Sequence, residues 1–251
     1  MLVSGGSCVG TSLDYLAGNI KANSLIVSLT EDLGELALEQ LSTGFSVQAV
    51  DRDYQLQLHD FTAIYQGSEF TLPPTAIDLS SGVNGWTANR IQLNELNLSD
   101  LSAIALNQPL GEKSRDILQS LSPGGLVKGL TVDLSQGLDN LSMVGELSDV
   151  SIKSWKGSPA AAQLNGSFYA SSDRGWIDIA SPRLVMEFPT VYEWALPFNF
   201  AQGRVNWQLY DDYAAVSSDL LELGLNNIRT RGQFAIDLPY DKEQQALLNL
   251  S

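Results

Sequence analysis

Hydrophobic and polar residues alternate with a period of two along most of this chain. In the segment YQLQLHDFTAIY, Tyr54, Leu56 and Leu58 fall on one side of an extended backbone, whereas Gln55 and Gln57 fall on the other. The same alternation recurs in QLNGSFYA, GWIDIAS, RLVMEF, GRVNWQLY and RGQFAIDLP. Turn signals such as QGSE, SGVNG, SDRG and AQG recur at roughly eight- to twelve-residue spacing. Such a pattern is typical of half-buried antiparallel strands in a sandwich, a barrel or an open sheet.

The alternation slips by one residue in the segment NRIQLNELNL. Ile91 and Leu93 share one face, but Leu96 and Leu98 continue the apolar phase from the next position. An extra residue in one strand produces this kind of shift, so the sequence predicts a β-bulge near Asn94–Glu95.

The segment from 99 to 121 lacks the alternation and predicts two short helices. Ser99 or Asp100 is a suitable N-cap for a helix running to Leu106, because their side-chain oxygens accept hydrogen bonds from free first-turn amides. Pro109 and Gly111 then end this helix.

The second helix, in GEKSRDILQSL, places its apolar residues on one side. Pro123 does not continue this helix, and Gly124 or Gly125 is suited to the left-handed conformation that closes a helix. The stretch SPGGLVKG that follows resembles a phosphate-binding loop only in its glycine content. A phosphate loop leads from a strand into a helix, whereas this stretch leads from a helix into a strand and lacks the required Ser or Thr after the lysine.

Charge and composition exclude several classes of function. The formal net charge of −15 is unsuited to a protein that binds nucleic acid phosphates or docks on anionic lipid head groups. A single cysteine, Cys8, excludes an intrachain disulfide. The amino terminus does not resemble a signal peptide, and no run of about 18 apolar residues predicts a transmembrane helix.

Candidate catalytic and metal-binding residues are few. His59 is the only histidine and falls on the polar side of its strand, so we interpret it as a surface residue. The acidic pairs Asp51 with Asp53 and Asp211–Asp212 are typical of turns. We therefore predict no catalytic residue, no metal site and no cofactor, and we interpret the five tryptophans as packing residues, some of which could line a groove.

Strands with one apolar face have to cover that face. They can close into a barrel, pack against a second layer, or form a concave groove that another molecule fills. We predict a mainly β protein: a long, curved, predominantly antiparallel sheet that forms an open apolar groove, with two short helices near residues 99–121. Such a groove would suit a lipid chain.

The larger apolar phase of the strands supplies the candidate lining of this groove. The assignment of that phase to the inside rests on apolarity alone, and the polar phase, for example Arg204, Gln208 and Asp237, would face water. The predicted lining residues are Leu164, Phe168, Ile177, Ile179, Leu184, Met186, Phe188, Val205, Trp207, Leu209, Phe234, Ile236 and Leu238.

An ordered set of short motifs resembles the YhdP branch of the AsmA-like proteins, a family of bridge-like lipid transfer proteins. The order is a helix ending in Leu-x-Pro-x-Gly, a Trp followed by Gly-x-Pro, an Asn-Gly step, a glycine hairpin, a strand ending in Phe-Pro, and a Gly-x-Val-x-Trp strand. The residues in these positions are Leu121, Pro123, Gly125, Trp155, Gly157, Pro159, Asn165, Gly166, Gly175, Phe188, Pro189, Gly203, Val205 and Trp207. The resemblance is clearest over residues 85–240.

The resemblance implies a segment of a periplasmic conduit that carries phospholipid from the inner to the outer membrane and supports the outer-membrane permeability barrier. It implies an interior fragment or truncated chain, anchored to the inner membrane through a segment missing here, with membrane contacts outside this chain. We accordingly divide the chain into an N-terminal β segment of the groove (1–98), a helical insertion (99–122) and a second groove segment (123–251). The partner proteins are unknown, and no nucleic acid partner is expected.

Two alternatives remain open at the level of sequence. One is a closed β-sandwich that acts as a scaffold or adhesion module and has no lipid path. The other is a carbohydrate-active enzyme that uses the paired acids on a β-scaffold.

Overall fold

The computed structural model describes most of the chain as strands of one sheet. The residues described are 2–9, 12–28, 35–51, 53–65, 67–82, 85–106, 112–155, 158–189, 193–241 and 247–250. Pro109, Gly111 and Gly157, which the sequence assigns to a helix break and to a family motif, lie outside these residues.

Seven strands precede two helices. The strands are β1 (Leu2–Val9), β2 (Ser12–Ser28), β3 (Glu35–Val50), β4 (Asp53–Tyr65), β5 (Ser68–Leu72), β6 (Thr75–Gly82) and β7 (Gly85–Asn97). The helices are α1 (Leu98–Leu106) and α2 (Glu112–Leu121).

Twelve further strands follow the helices. They are β8 (Gly124–Asp133), β9 (Ser142–Ile152), β10 (Ala160–Ser171), β11 (Arg174–Ser181), β12 (Leu184–Glu187), β13 (Leu196–Phe198), β14 (Phe200–Leu209), β15 (Tyr213–Ser218), β16 (Leu221–Leu225), β17 (Ile228–Gly232), β18 (Phe234–Pro239) and β19 (Leu247–Leu250). A short 3₁₀-helix spans Leu138–Asn140 between β8 and β9.

All these strands belong to a single antiparallel sheet in which the chain advances steadily from one edge to the other. β4 pairs with β5 along one half of its length and with β6 along the other. In the same way β10 pairs with both β11 and β12, and β14 pairs with both β15 and β16. We use the word rung for one position in the order of strands across the sheet, whether it holds one strand or two strands end to end. β13 with β14 and β17 with β18 also share a rung, which makes five shared rungs. The nineteen described strands therefore make fourteen rungs.

This sheet does not close into a barrel, and the fold predicted from the sequence is confirmed. β1 and β19 lie at its two ends, and β7 pairs with β8 across the helical insertion. A closed sandwich would need a second sheet over the apolar face, whereas the described strands form only one. The chain exposes 16164 Å², whereas a compact protein of 27.2 kDa exposes about 11,000 Å². The sheet is therefore an open layer rather than the wall of a sealed core.

The regular ladder is interrupted at adjacent positions across the second half of the sheet. The interruptions comprise left-handed backbone at Gly125, Asp149 and Gln163, and breaks at 182–183, 199, 219–220 and 233, where one strand of a rung ends and the next begins. Register shifts in β10 fall on the same line. Bulges and breaks bend a strand, so this line, which we call the C-terminal crease, folds the sheet along its length.

A second line of interruptions, the N-terminal crease, crosses the first half of the sheet. β3 and β4 shift register between Ser42 and Gly44, opposite the left-handed Asp60. The next rung breaks at residues 73–74, between β5 and β6.

The bulge expected in β7 near Asn94–Glu95 has a different location. β7 and β8 stay in register there, with Leu93 opposite Leu130 and Leu96 opposite Val127. The register shift lies one strand further on, between β8 and β9, where Gly129 has a left-handed backbone. β8 changes the face of its side chains at this register shift, and β7 stays paired with β8 in one register. The apolar phase of β7 therefore slips at the same place.

The helix ends also differ from the sequence prediction. Neither Ser99 nor Asp100 caps α1; instead the Asn97 side-chain oxygen accepts hydrogen bonds from both of their backbone amides, at 2.9 and 3.4 Å. At the end of α2, Ser122 takes the left-handed conformation and its amide donates to the Leu118 carbonyl at 3.0 Å. Gly125, expected at this helix end, lies instead within β8 on the C-terminal crease.

Candidate functional site

One face of the sheet carries an unbroken line of apolar residues from β2 to β18. Residues directly opposite each other in an antiparallel ladder point to the same face, so successive partners can be followed across the sheet. The line reads Leu16, Val47, Leu56, Ile77, Ile91, Val132, Met143, Ala170, Gly175, Trp207, Val216 and Ile236. We call the face that bears this line the apolar face.

The neighbouring line of partners, one residue along each strand, points the other way and is polar. From β2 to β10 it reads Tyr15, Gln48, Gln55, Asp78, Arg90, Asp133, Ser142 and Ser171. This second face, the polar face, is therefore the one suited to water, and the sheet is amphipathic from β2 to β10.

The structure brings nearly all of the predicted lining residues to the apolar face. Phe168, Ile177 and Val205 are successive partners in the ladder, and Trp207 pairs through Val216 with Ile236. Leu209 and Leu238 are both partners of Ala214, and Phe234 lies two residues before Ile236 on the same strand. Phe188 follows the end of β12 and has no position in the ladder.

Four of the predicted lining residues meet in a packed cluster on the apolar face along the C-terminal crease. Leu184, Phe198 and Ala201 form its centre, and Leu184 is only 2% exposed. The residues packed around this centre are Leu164, Ile179, Met186, Leu196, Leu223 and Leu225. The burial of these side chains on one face of a single-layer sheet indicates that the sheet bends towards the cluster. We use the word trough for the apolar face on either side of this cluster, and we call the cluster its floor.

Exposure rises away from this floor. Leu209 is 44% and Leu238 is 40% exposed, so these two residues lie towards the rim of the trough. Trp207 lies between them and the floor and covers Gly175, where an added Cβ would collide with the indole ring. The glycine thus lets a large aromatic side chain lie flat on the sheet without a gap in the apolar line.

The sequence-based lining omitted the first half of the sheet. Val47, Leu56, Ile77 and Ile91 lie on the same apolar line as Trp207 and Ile236. Their alternation was visible in the sequence, but the family motifs are faint before residue 85, and pairing across strands was needed to align the two halves.

Ion pairs lie on the polar face. The Arg204 Nε donates to the Asp178 carboxylate at 2.6 Å, and its guanidinium stacks 4.3 Å from the centre of the Trp176 ring. The hydrogen bonds from Arg204 hold the pKa of the Asp178 carboxyl below its usual range. A further cross-strand pair joins Arg90 to Asp78 at 3.8 Å. These pairs keep the charged groups away from the trough.

The candidate catalytic residues do not form a reactive site. The His59 ring lies over Gly44 on the polar face, where an added Cβ would collide with it. Asp211 and Asp212 are exposed in the turn between β14 and β15. Within the part of the chain that the structure describes, no three His, Cys, Asp or Glu side chains converge as metal ligands would.

None of the described helices has the length and hydrophobicity needed to cross a bilayer. Neither the curated proteins nor the solved structures contain a significant match to the chain. A family model described as YhdP protein matches residues 6–251. At the level of the family, this match indicates bridge-like lipid transfer, and the family is not known for enzymatic activity. Because the match covers almost the whole sequence, the chain belongs to the YhdP family.

Proposed function

We propose that this chain is a segment of a lipid conduit that carries phospholipid acyl chains along the apolar face of its sheet. The observation that carries the proposal is the line of twelve register-matched positions from Leu16 to Ile236, in which no side chain is charged and only Trp207 carries a hydrogen-bonding group. Burying acyl CH₂ groups is worth about 0.8 kcal/mol each, so a continuous line matters more than any single contact. A polar side chain within it would raise a barrier to passage.

The dimensions of the sheet suit this role. Fourteen rungs at about 4.8 Å give a path of about 60 Å. The hydrocarbon core of a bilayer is about 30 Å thick for two leaflets, so the path is about four acyl chains long. Acyl chains would slide along the trough while the head groups stay in water at its open side.

Membership of the family supports an envelope location for the chain. We propose that it lies in the periplasm, between an inner and an outer membrane that other parts of a longer, membrane-anchored protein would contact. Passage of phospholipid along this route would support the permeability barrier of the outer membrane. The chemistry of the trough is apolar and repetitive, which favours passive passage over a reaction.

Site-specific photocrosslinking tests which face holds lipid. A photoreactive amino acid is placed at Ile236 on the apolar face, and the protein is irradiated with vesicles of phosphatidylethanolamine and phosphatidylglycerol. Its neighbour Asp237 on the polar face is the matched control, since the two positions share a strand and differ in direction. We expect mass spectrometry to detect phospholipid adducts at Ile236 and few at Asp237.

Two outcomes would contradict the proposal in different ways. Adducts mainly at Asp237 would show that the polar face holds lipid. Equal background at both positions, repeated at Val216 and Ala215 on β15, would exclude lipid binding by this segment.

A further inference from the structure

Buried hydroxyl groups mark the places where the sheet bends. Among the described residues the buried polar side chains are Thr43, Thr75, Ser102, Ser181 and Ser218. Ser102 lies in α1, and the other four lie in the sheet. Thr43 and Thr75 lie at the N-terminal crease, and Ser181 and Ser218 lie at the C-terminal crease.

These four hydroxyl side chains share the apolar face. Ser181 is directly opposite Ala201, and Ser218 is directly opposite Val205. Thr75 has Leu58 and Leu93 as its partners. Thr43 lies two residues before Phe45 in a stretch where β2 and β3 pair regularly. Among the described residues, the buried polar side chains of the sheet thus lie among apolar ones at positions where the ladder is interrupted.

Each hydroxyl at the C-terminal crease completes the hydrogen bonding of a neighbouring strand. The Ser181 hydroxyl accepts a hydrogen bond from the Asn165 amide at 2.8 Å and donates to the Asn165 carbonyl at 3.2 Å. The Ser218 hydroxyl accepts from the Phe234 amide at 3.0 Å. In both cases the hydroxyl takes the place that a backbone group holds in an uninterrupted ladder.

The threonines at the N-terminal crease donate to carbonyl groups. The Thr43 hydroxyl lies within donating distance of two carbonyls, that of Gly44 at 3.0 Å and that of His59 across the register shift at 3.1 Å. The Thr75 hydroxyl donates to the Pro73 carbonyl at 2.8 Å, at the break between β5 and β6. Among the described residues, no buried side-chain nitrogen or oxygen lacks a hydrogen-bond partner.

A bend creates a specific problem for a sheet that carries lipid. Each interruption of the ladder frees a backbone N–H or C=O group beside the trough, and such a group is costly in hydrocarbon because no water is there to bind it. Alanine would fit the same space without supplying a partner. We propose that Thr43, Thr75, Ser181 and Ser218 are positioning residues that keep the lipid path free of unpaired backbone groups where the sheet bends. This inference rests on the proposed lipid-conduit function.

Amide hydrogen exchange of the full chain tests the hydrogen-bonding part of the inference without lipid. We expect Ser181→Ala to speed exchange at the Asn165 amide about tenfold, and Ser218→Ala to do the same at Phe234, since each loses its acceptor. The matched control is Ser171→Ala: the Ser171 hydroxyl also donates to a side-chain and a backbone oxygen, at 3.0 Å, but Ser171 lies on the polar face at the end of β10. Unchanged exchange at Asn165 and Phe234 would overturn the inference.

Lipid capture tests the functional part. With a photoreactive amino acid at Ile236 and vesicles of phosphatidylethanolamine and phosphatidylglycerol, we expect Ser181→Ala and Ser218→Ala each to lower adduct yield several-fold, and Ser171→Ala to leave it unchanged. Ser181→Cys, which keeps the volume and a weak hydrogen-bonding group, should fall between wild type and alanine and replaces the alanine variant if that variant does not fold. Wild-type yield in every variant would overturn the inference, whereas no adduct in the wild type would instead overturn the proposed function.

Discussion

At the scale of the residue, Gly125 shows how the backbone permits the C-terminal crease. It has φ of 93°, and an added Cβ would lie 2.5 Å from the Asp149 carbonyl oxygen on the next strand. Two requirements therefore meet at this position: a left-handed backbone and a close approach of two strands. The bend and the pairing of β8 with β9 both depend on the absence of a side chain here.

Alanine substitutions at Gly125 and Gly137 distinguish the cost of a left-handed backbone from the cost of a steric collision. Gly137 has a similar φ of 83° but nothing within 4 Å of an added Cβ. We expect Gly137→Ala to lower the free energy of unfolding by about 1 kcal/mol, the cost of the left-handed backbone alone. Gly125→Ala should cost about 3 kcal/mol or more, because a backbone carbonyl also has to move. Urea denaturation measures both, and equal costs would show that the strands separate freely at the crease.

At the scale of the element, helices α1 and α2 leave the sheet and return to it without interrupting the ladder. α1 begins directly at the end of β7, where Asn97 both pairs with Leu126 and caps the helix. Ser122 closes α2 just before β8 begins. The helical insertion therefore begins at the end of β7 and ends at the start of β8, and these two strands pair with each other. Because they pair directly, the apolar line continues from Ile91 to Val132.

The cap of α1 can be tested with two neighbouring substitutions. Asn97→Ala removes the acceptor of two first-turn amides, so we expect a loss of about 1 kcal/mol in the free energy of unfolding. Ser99→Ala, the cap that the sequence suggested, removes only a 3.5 Å bond to the Pro123 carbonyl and should have a smaller effect. Urea denaturation of both variants decides between them, and a larger effect for Ser99 would contradict the structure.

At the scale of the whole molecule, the described strands form one open antiparallel sheet with an apolar face. The surface of the chain is about one and a half times that of a compact protein of the same mass. The charged groups of the polar face and the net charge of −15 keep such a layer in solution, while the apolar face stays available.

Small-angle X-ray scattering tests this open shape directly. A compact domain of 251 residues has a radius of gyration of about 18 Å. We expect a clearly larger value for this chain, because fourteen rungs extend the sheet in one direction. A hydrophobic dye should also bind to the folded protein. A radius near 18 Å together with no dye binding would indicate a sealed core.

Much of the amphipathic character of the molecule could be predicted from the sequence. The alternation in GRVNWQLY places Val205 and Trp207 on one face of their strand, and that in RGQFAIDLP does the same for Phe234 and Ile236, because side-chain direction within a strand depends only on the period of two. The two short helices were also predicted from the sequence, because helix formation depends on neighbours along the chain.

The creases, the true helix caps and the alignment of the two halves of the sheet were decided by the tertiary structure alone. Ser181 and Ser218 have no distinctive local signal, since their role depends on Asn165 and Phe234, sixteen residues away in each case. The bulge expected in β7 also has no local signal at its actual position, since the register shift occurs at Gly129 in the pairing of β8 with β9. The sequence by itself determined which way each strand faces, because that is a local property of an extended chain. Where the sheet bends was determined by which backbone groups lose their partners, and that depends on strands distant in sequence.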